Sequence, residues 1–220
     1  MSFSRRIAKS CGFTRTELIV VIGAVCLILF FAVGLYLPAI AKVHGGPVYR
    51  CSNNLKQVGL AFRMWANDHN DRFPMEVSSK DGGARDFLDA TNFYINFEVM
   101  SNELGSPRVL RCPHNKDRSF ATNFTTDFNI SHLSYFLGLD ATGQMTNSFL
   151  SGDGNLTDGS VLRAGILEVT VDKPAMWTKK MHHNQGNIVF PDGSVRSFTN
   201  TDLRAAIQKT GIKTNRLAIP

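Results

Sequence analysis

Three groups of residues in this chain of 220 have types and spacings that could do chemistry. His182 and the pair Asp192-Gly193 stand with nine residues between them, and His183 adds a second imidazole. An imidazole and a carboxylate that converge can move a proton or hold a metal. Spacing alone does not bring them together, because Pro191-Asp192-Gly193 has the chemistry of a hairpin turn, and His182 could simply bond a backbone group. The second group is Ser151-Gly-Asp153-Gly-Asn155-Leu-Thr-Asp158-Gly159. Asp153, Asn155 and Asp158 are hard oxygen donors in a glycine-permitted loop, a candidate calcium site, although the spacing is not that of an EF-hand and Asp-Gly-Asn is also an ordinary turn. The third is the cysteines Cys51 and Cys112, whose spacing carries no zinc signature. No nucleophile–base pair, phosphate loop or repeated CxxC accompanies them, so the sequence gives no support to an enzyme.

The elements that must position these residues are legible in part. Leu55, Val58, Phe62 and Trp65, with Gly59 and Ala66, recur at three- and four-residue steps and predict an amphipathic helix from about Tyr49 to Asn67. Asn67 to Pro74 reads as a loop. Residues 75–130 read as irregular, with Phe87, Leu88, Phe93, Tyr94, Ile95 and Phe97 as core candidates and one short helix near 86–90 or 92–104. Strands are expected at 134–138, at 166–171, and at 187–190 and 194–198 around the Pro191-Asp192-Gly193 turn. Asn200 or Thr201 should cap a last helix, from Asp202 to about Lys209, stopped by Gly211.

The N-terminus has a different character. Met1 to Gly12 is short and basic, with Arg5, Arg6 and Lys9, and from Leu18 to Leu37 there are 20 residues without a charged side chain. A helix of that length spans about 30 Å, enough to cross a bilayer. Glu17 stands at its N-terminal edge, where a carboxylate is costly unless paired or favours the helix dipole. The only small-residue junction, Gly12-Phe13, precedes the apolar run, the reverse of a secretory signal. Gly34 and Pro38 predict a kink and Gly45-Gly46-Pro47 an interruption, with a hinge at 43–48.

Gly12-Phe13-Thr14-Arg15-Thr16-Glu17-Leu18 and the apolar run behind it resemble the class III leader of type IV prepilins and type II secretion pseudopilins. Cys51-Ser-Asn-Asn-Leu-Lys-Gln and the His182-x9-Asp192-Gly193 segment resemble a prepilin-like family common in planctomycete and verrucomicrobial genomes. The resemblance implies an α+β, pilin-like fold: a hydrophobic transmembrane helix (13–42) behind a leader (1–12), then a globular domain (49–220) whose amphipathic helix packs on a small antiparallel sheet. It implies cleavage between Gly12 and Phe13, N-methylation of Phe13, and a Glu17 that neutralises the new amine on an adjacent subunit. The implied partners are a prepilin peptidase, an assembly platform with its ATPase, and other pilin or pseudopilin subunits. Major pseudopilins as a class carry a calcium site in their C-terminal loop region, which is why the Asp153 loop is a candidate.

Formal net charge is +6, of which three charges sit in the leader. The remaining +3 is too mild to argue for nucleic acid. A basic leader favours the cytoplasmic side, placing the large domain outside the inner membrane. Cys11 would leave with the leader and Cys26 lies in the apolar run, so Cys51 and Cys112 are the exported pair. An oxidising compartment permits a disulfide between them, worth about 3–4 kcal/mol, with two buried free thiols as the alternative. The function expected is a filament subunit; the alternative is a monomeric, membrane-anchored extracytoplasmic binding module.

Overall fold

A computed structural model describes residues 14–43, 47–160 and 165–220. The leader, the Gly12-Phe13 junction and the Gly45-Gly46 part of the expected hinge lie outside the described residues. The chain divides into two compact units, Met1–Gly46 and Pro47–Pro220.

The first unit contributes α1 (Arg15–Val43), 29 residues that run as one helix through both Gly34 and Pro38. Its stretch Arg15–Gly34 is long and apolar enough to cross a membrane or to serve as a signal sequence. Leu18, Ile22, Val25, Leu29 and Val33 are exposed, as are Ile19 and Phe30 on other faces, and none of the side chains described in α1 is buried.

The second unit is α+β. Its first helix, α2 (Pro47–Asp68), begins two residues earlier than the periodicity suggests. Cys51, Leu55, Val58, Phe62, Trp65 and Ala66 form its buried stripe, while Lys56 and Gln57 are exposed. Phe62 packs edge-on against Phe73 and Phe97, with ring centroids 5.7 and 5.9 Å away. The segment after α2 is built from 3-10 turns and two single-turn helices, α3 (Ile95–Glu98) and α4 (Ser101–Leu104), in place of one longer helix. Of the aromatic candidates there, Phe93 and Phe97 are fully buried.

Six strands make an antiparallel sheet: β1 (Tyr135–Gly138), β2 (Ser151–Asp153), β4 (Ile166–Val169), β6 (Gln185–Val189), β7 (Val195–Thr199) and β8 (Asn215–Ala218), in the order β4-β8-β1-β2-β6-β7. A two-stranded pair, β3 (Leu156–Thr157) with β5 (Met176–Trp177), stands apart from it. Side chains alternate across a strand. Tyr135 and Leu137 join the core under α2, and Phe136 between them joins the opposite core with Leu203 and Ile207 of α5 (Asn200–Lys209). The sheet therefore lies between α2 and α5.

Two local details differ from expectation for physical reasons. The cap of α5 is Thr199, not Asn200 or Thr201: its hydroxyl accepts from the Asp202 N–H while the Asp202 carboxylate takes the Thr199 N–H, a reciprocal box that uses one residue further upstream. Strand β8 sits between β1 and β4 and was not expected, because four residues beside the chain end show almost no alternation.

Candidate functional site

Four of the sequence-selected residues, Cys51, Cys112, Asp153 and His182, converge on one buried polar cluster, though not in the expected pairs. Cys51, in the second turn of α2, and Cys112, just past the 3-10 turn Pro107–Leu110, are joined by a disulfide across 61 residues, with Cα atoms 5.2 Å apart. Both are fully buried. The Asn54 side chain donates to the Arg111 carbonyl at 3.2 Å, a second tie between α2 and that loop.

Asp153 ends β2 and is buried. Its Oδ2 accepts two bonds from Asn187 of β6, from the backbone N–H at 2.7 Å and from Nδ2 at 2.8 Å. Ser197 of β7 donates to Asn187 Oδ1 at 2.6 Å, so three adjacent strands fix the carboxylate. Its other oxygen, Oδ1, has no hydrogen-bond partner and lies 3.5 Å from His182 Nε2. Nearby, burial pushes the Tyr135 hydroxyl well above its ordinary pKa, the Asp153 charge adds to the effect, and the Asn54 side chain opposes it.

His182 reaches the cluster from the loop between β5 and β6. Its Nε2 is also 3.4 Å from Cys112 Sγ, and its Nδ1 is unpartnered. The His114 ring stacks on it at 5.6 Å between centroids. The loop is conformationally costly: Met181, His183 and Asn184 have φ of 64°, 52° and 64°, left-handed values that side-chain-bearing residues seldom adopt. Asn155 holds it there. The two N–H donors of its buried amide lie within reach of three carbonyls, those of Thr178, Lys180 and Gln185, at 3.3, 3.0 and 3.2 Å, one N–H being shared between two of them.

The two groupings suggested by spacing are corrected accordingly. His182 meets neither Asp192 nor a backbone group; its carboxylate neighbour is Asp153. Asp192 instead accepts the Ser194 N–H at 2.8 Å, and Gly193 takes φ of 81° in the β6–β7 turn. That turn abuts α2 so closely that a Cβ on Gly59 would come within 2.5 Å of Val189 Cγ2 and 3.2 Å of the Gly193 carbonyl oxygen. The Asp153, Asn155, Asp158 grouping is not a chelating loop. Asp153 faces Asn187 and His182, Asn155 faces the His182 loop, and Asp158 is paired with Lys173 and Ser160. The lysine, followed by the serine, holds the Asp158 carboxyl well below the usual carboxylate range.

At the other end of the chain Glu17 caps α1. Its Oε2 accepts the Thr14 N–H at 2.9 Å, and its own N–H donates to Thr14 Oγ1 at 3.3 Å. Within this chain the Glu17 carboxylate is thus engaged by a backbone donor. Gly12 and Phe13 lie outside the described residues.

The signal that sequence reading lacked is the pairing of β2 with β6. It places Ser151 opposite Val189 and Gly152 opposite Ile188, and so brings Asp153 beside Asn187. No family model, curated protein or solved structure matches the chain.

Proposed function

We propose that this chain is a filament subunit of the prepilin type, of a type IV pilus or a type II secretion pseudopilus, with a pilin-like fold and a single inner-membrane span. The observation that carries the reading is α1: an apolar helix whose described side chains are exposed on every face, directly behind a basic leader and the Gly12-Phe13 junction. A helix with no amphipathic stripe does not find its apolar partner along one face of a folded domain. Lipid before assembly and sister helices after it supply one all round. The 13–42 segment is then the assembly element and the disulfide-tied α+β unit is the part displayed outside the membrane. A prepilin peptidase, an assembly platform with its ATPase and further pilin subunits are the partners this reading requires.

Glu17 has two successive tasks in this reading. In the single chain it caps α1 through Thr14; after cleavage the charged amine of Phe13 on an adjacent subunit competes for the same carboxylate, pairing two full charges where the cap pairs one charge with a neutral N–H. The test is the N-terminal sequence and intact mass of the protein from membranes of its native host. A chain that starts at N-methylated Phe13 is the expected result. A chain that starts at Met1, in cells whose other prepilins are processed, overturns it and leaves the anchored binding module. Glu17→Gln should abolish assembly while the protein still inserts.

A further inference from the structure

The buried cluster holds four metal-donor side chains, two of them currently spent on each other. One donor atom from each of Cys51, Cys112, Asp153 and His182 lies within 4.8 Å of all the others. We propose that the reduced form of this domain binds one zinc ion through Cys51 Sγ, Cys112 Sγ, His182 Nε2 and Asp153 Oδ1, so that α2 and the Cys112 loop are tied by a metal before they are tied by the disulfide.

The donor set and the geometry both fit. Zinc takes thiolate, imidazole and carboxylate donors at about 2.0–2.3 Å in a tetrahedron, which sets neighbouring donor atoms about 3.3–3.8 Å apart. His182 Nε2 stands 3.5 Å from Asp153 Oδ1 and 3.4 Å from Cys112 Sγ, both within that range. The unsatisfied atom points the same way. A buried carboxylate oxygen without a hydrogen-bond donor is expensive, yet Asp153 Oδ1 has none and lies 3.5 Å from the imidazole Nε2. Its sister oxygen is fixed by Asn187, itself fixed by Ser197, the kind of outer support that orients a metal-binding carboxylate. On the histidine side, three left-handed residues and the Asn155 amide hold the loop that delivers the ring.

With the disulfide intact the sulfurs cannot serve as thiolate donors. A dithiol reductant converts Cys51–Cys112 to two thiols while its own two sulfurs close into a disulfide. Zinc then displaces one proton from each thiol into solvent. Surface cavities of about 470 and 320 Å³ are both lined by Met181, next to His182. None of this depends on α1 or on filament assembly.

The full-length chain in detergent, reduced with a phosphine that does not bind metal, is titrated with zinc against a chromophoric chelator. The expected result is one zinc per reduced chain and none at that affinity in the oxidised chain. Asp153→Asn and His182→Gln should each weaken binding by about tenfold or more, at least the loss seen when an outer-shell partner is removed. Asp158→Asn should leave it unchanged. Absence of zinc binding by the reduced chain, equal binding by the oxidised chain, or wild-type affinity in both site variants overturns the proposal. If a site variant does not fold, zinc-edge X-ray absorption on the loaded wild type decides alone: two sulfur and two lighter donors support the site, and any other set refutes it.

Discussion

Helices α1 and α2 follow one another in the chain and dispose their apolar residues in opposite ways. In α2 the buried apolar residues keep to one stripe, with Tyr49, Leu60 and Met64 left on the exposed face, and the surface the stripe needs is supplied by β6, β7 and the 93–112 segment of the same unit. In α1 they occupy every face and none of those described is buried. The two differ in apolar content, since α2 carries Arg50, Lys56, Arg63 and Asp68, and in its angular distribution. A stripe states that the core is internal to the chain, and an all-round surface states that the solvent or the partner is external.

The contrast breaks first under truncation. Phe62→Ala removes a fully buried ring between Phe73 and Phe97 and should destabilise the domain by about 3–5 kcal/mol. Leu27→Ala, on the exposed surface of α1, should leave the same unfolding transition unmoved. Denaturant unfolding of the full chain in detergent measures both, followed by tryptophan fluorescence, since Trp65 and Trp177 both lie in the second unit. Equal effects would mean that α1 is part of the domain core after all. The disulfide comes next. Cys112→Ala in the oxidised protein should lower stability by about 3–4 kcal/mol, because the bond closes 61 residues of otherwise free chain. A far smaller loss would show that the packing of α2 against the sheet suffices without the tie.

How much of this was legible in the sequence follows the same division. Both helices were legible because their signals are local: for α1 an uncharged run of 20 residues, and for α2 Leu55, Val58, Phe62 and Trp65, which announce a stripe within eleven residues. The β6–β7 hairpin was readable because Pro191-Asp192-Gly193 sets its register from inside the turn. The buried cluster was not. Cys51, Cys112, Asp153 and His182 come from a helix, a loop, a strand end and a second loop, and only the order β1-β2-β6 and the disulfide bring them together. Motif spacing instead grouped Asp153 with Asp158 and His182 with Asp192, residues adjacent in the chain but turned to different partners. Asn155 was noticed as an oxygen donor and works through its nitrogen, with three carbonyls as partners. Strand β8 left no trace, since four residues that complete a sheet by pairing on both sides need no alternation of their own.

Smaller effects sharpen the comparison at helix starts. Thr14 with Glu17 and Thr199 with Asp202 are the same reciprocal cap on α1 and α5. Thr199→Ala should cost the domain about 1 kcal/mol, whereas Thr14→Ala should leave the domain's unfolding unchanged and appear, if anywhere, in assembly. The same denaturant titration separates the two.

The smallest effect is expected at Asp158, and it distinguishes an ion pair open to solvent on its lysine side from the buried cluster. Lys173, then Ser160, depress the Asp158 pKa below its unfolded value of about 3.9. A depressed carboxylate pKa means that the unfolded chain takes up the proton first as pH falls. The stability Asp158 contributes is therefore present in full above about pH 4 and is lost towards its folded pKa. Thermal melts from pH 6 down to about pH 2 should fall more steeply for the wild type than for Asp158→Asn, and the two curves should draw together at the acid end. The other depressed carboxylates, Asp192 and Asp202 among them, are common to both proteins and cancel in the difference. The Lys173 side chain is more than half exposed although that of Asp158 is almost wholly covered, so solvent screens the pair from the lysine side and the gap near neutral pH should be small. Added salt should narrow it further. A gap that grew on acidification instead would mean that Asp158 is raised, not lowered, in the folded chain, and that its partner is something other than Lys173.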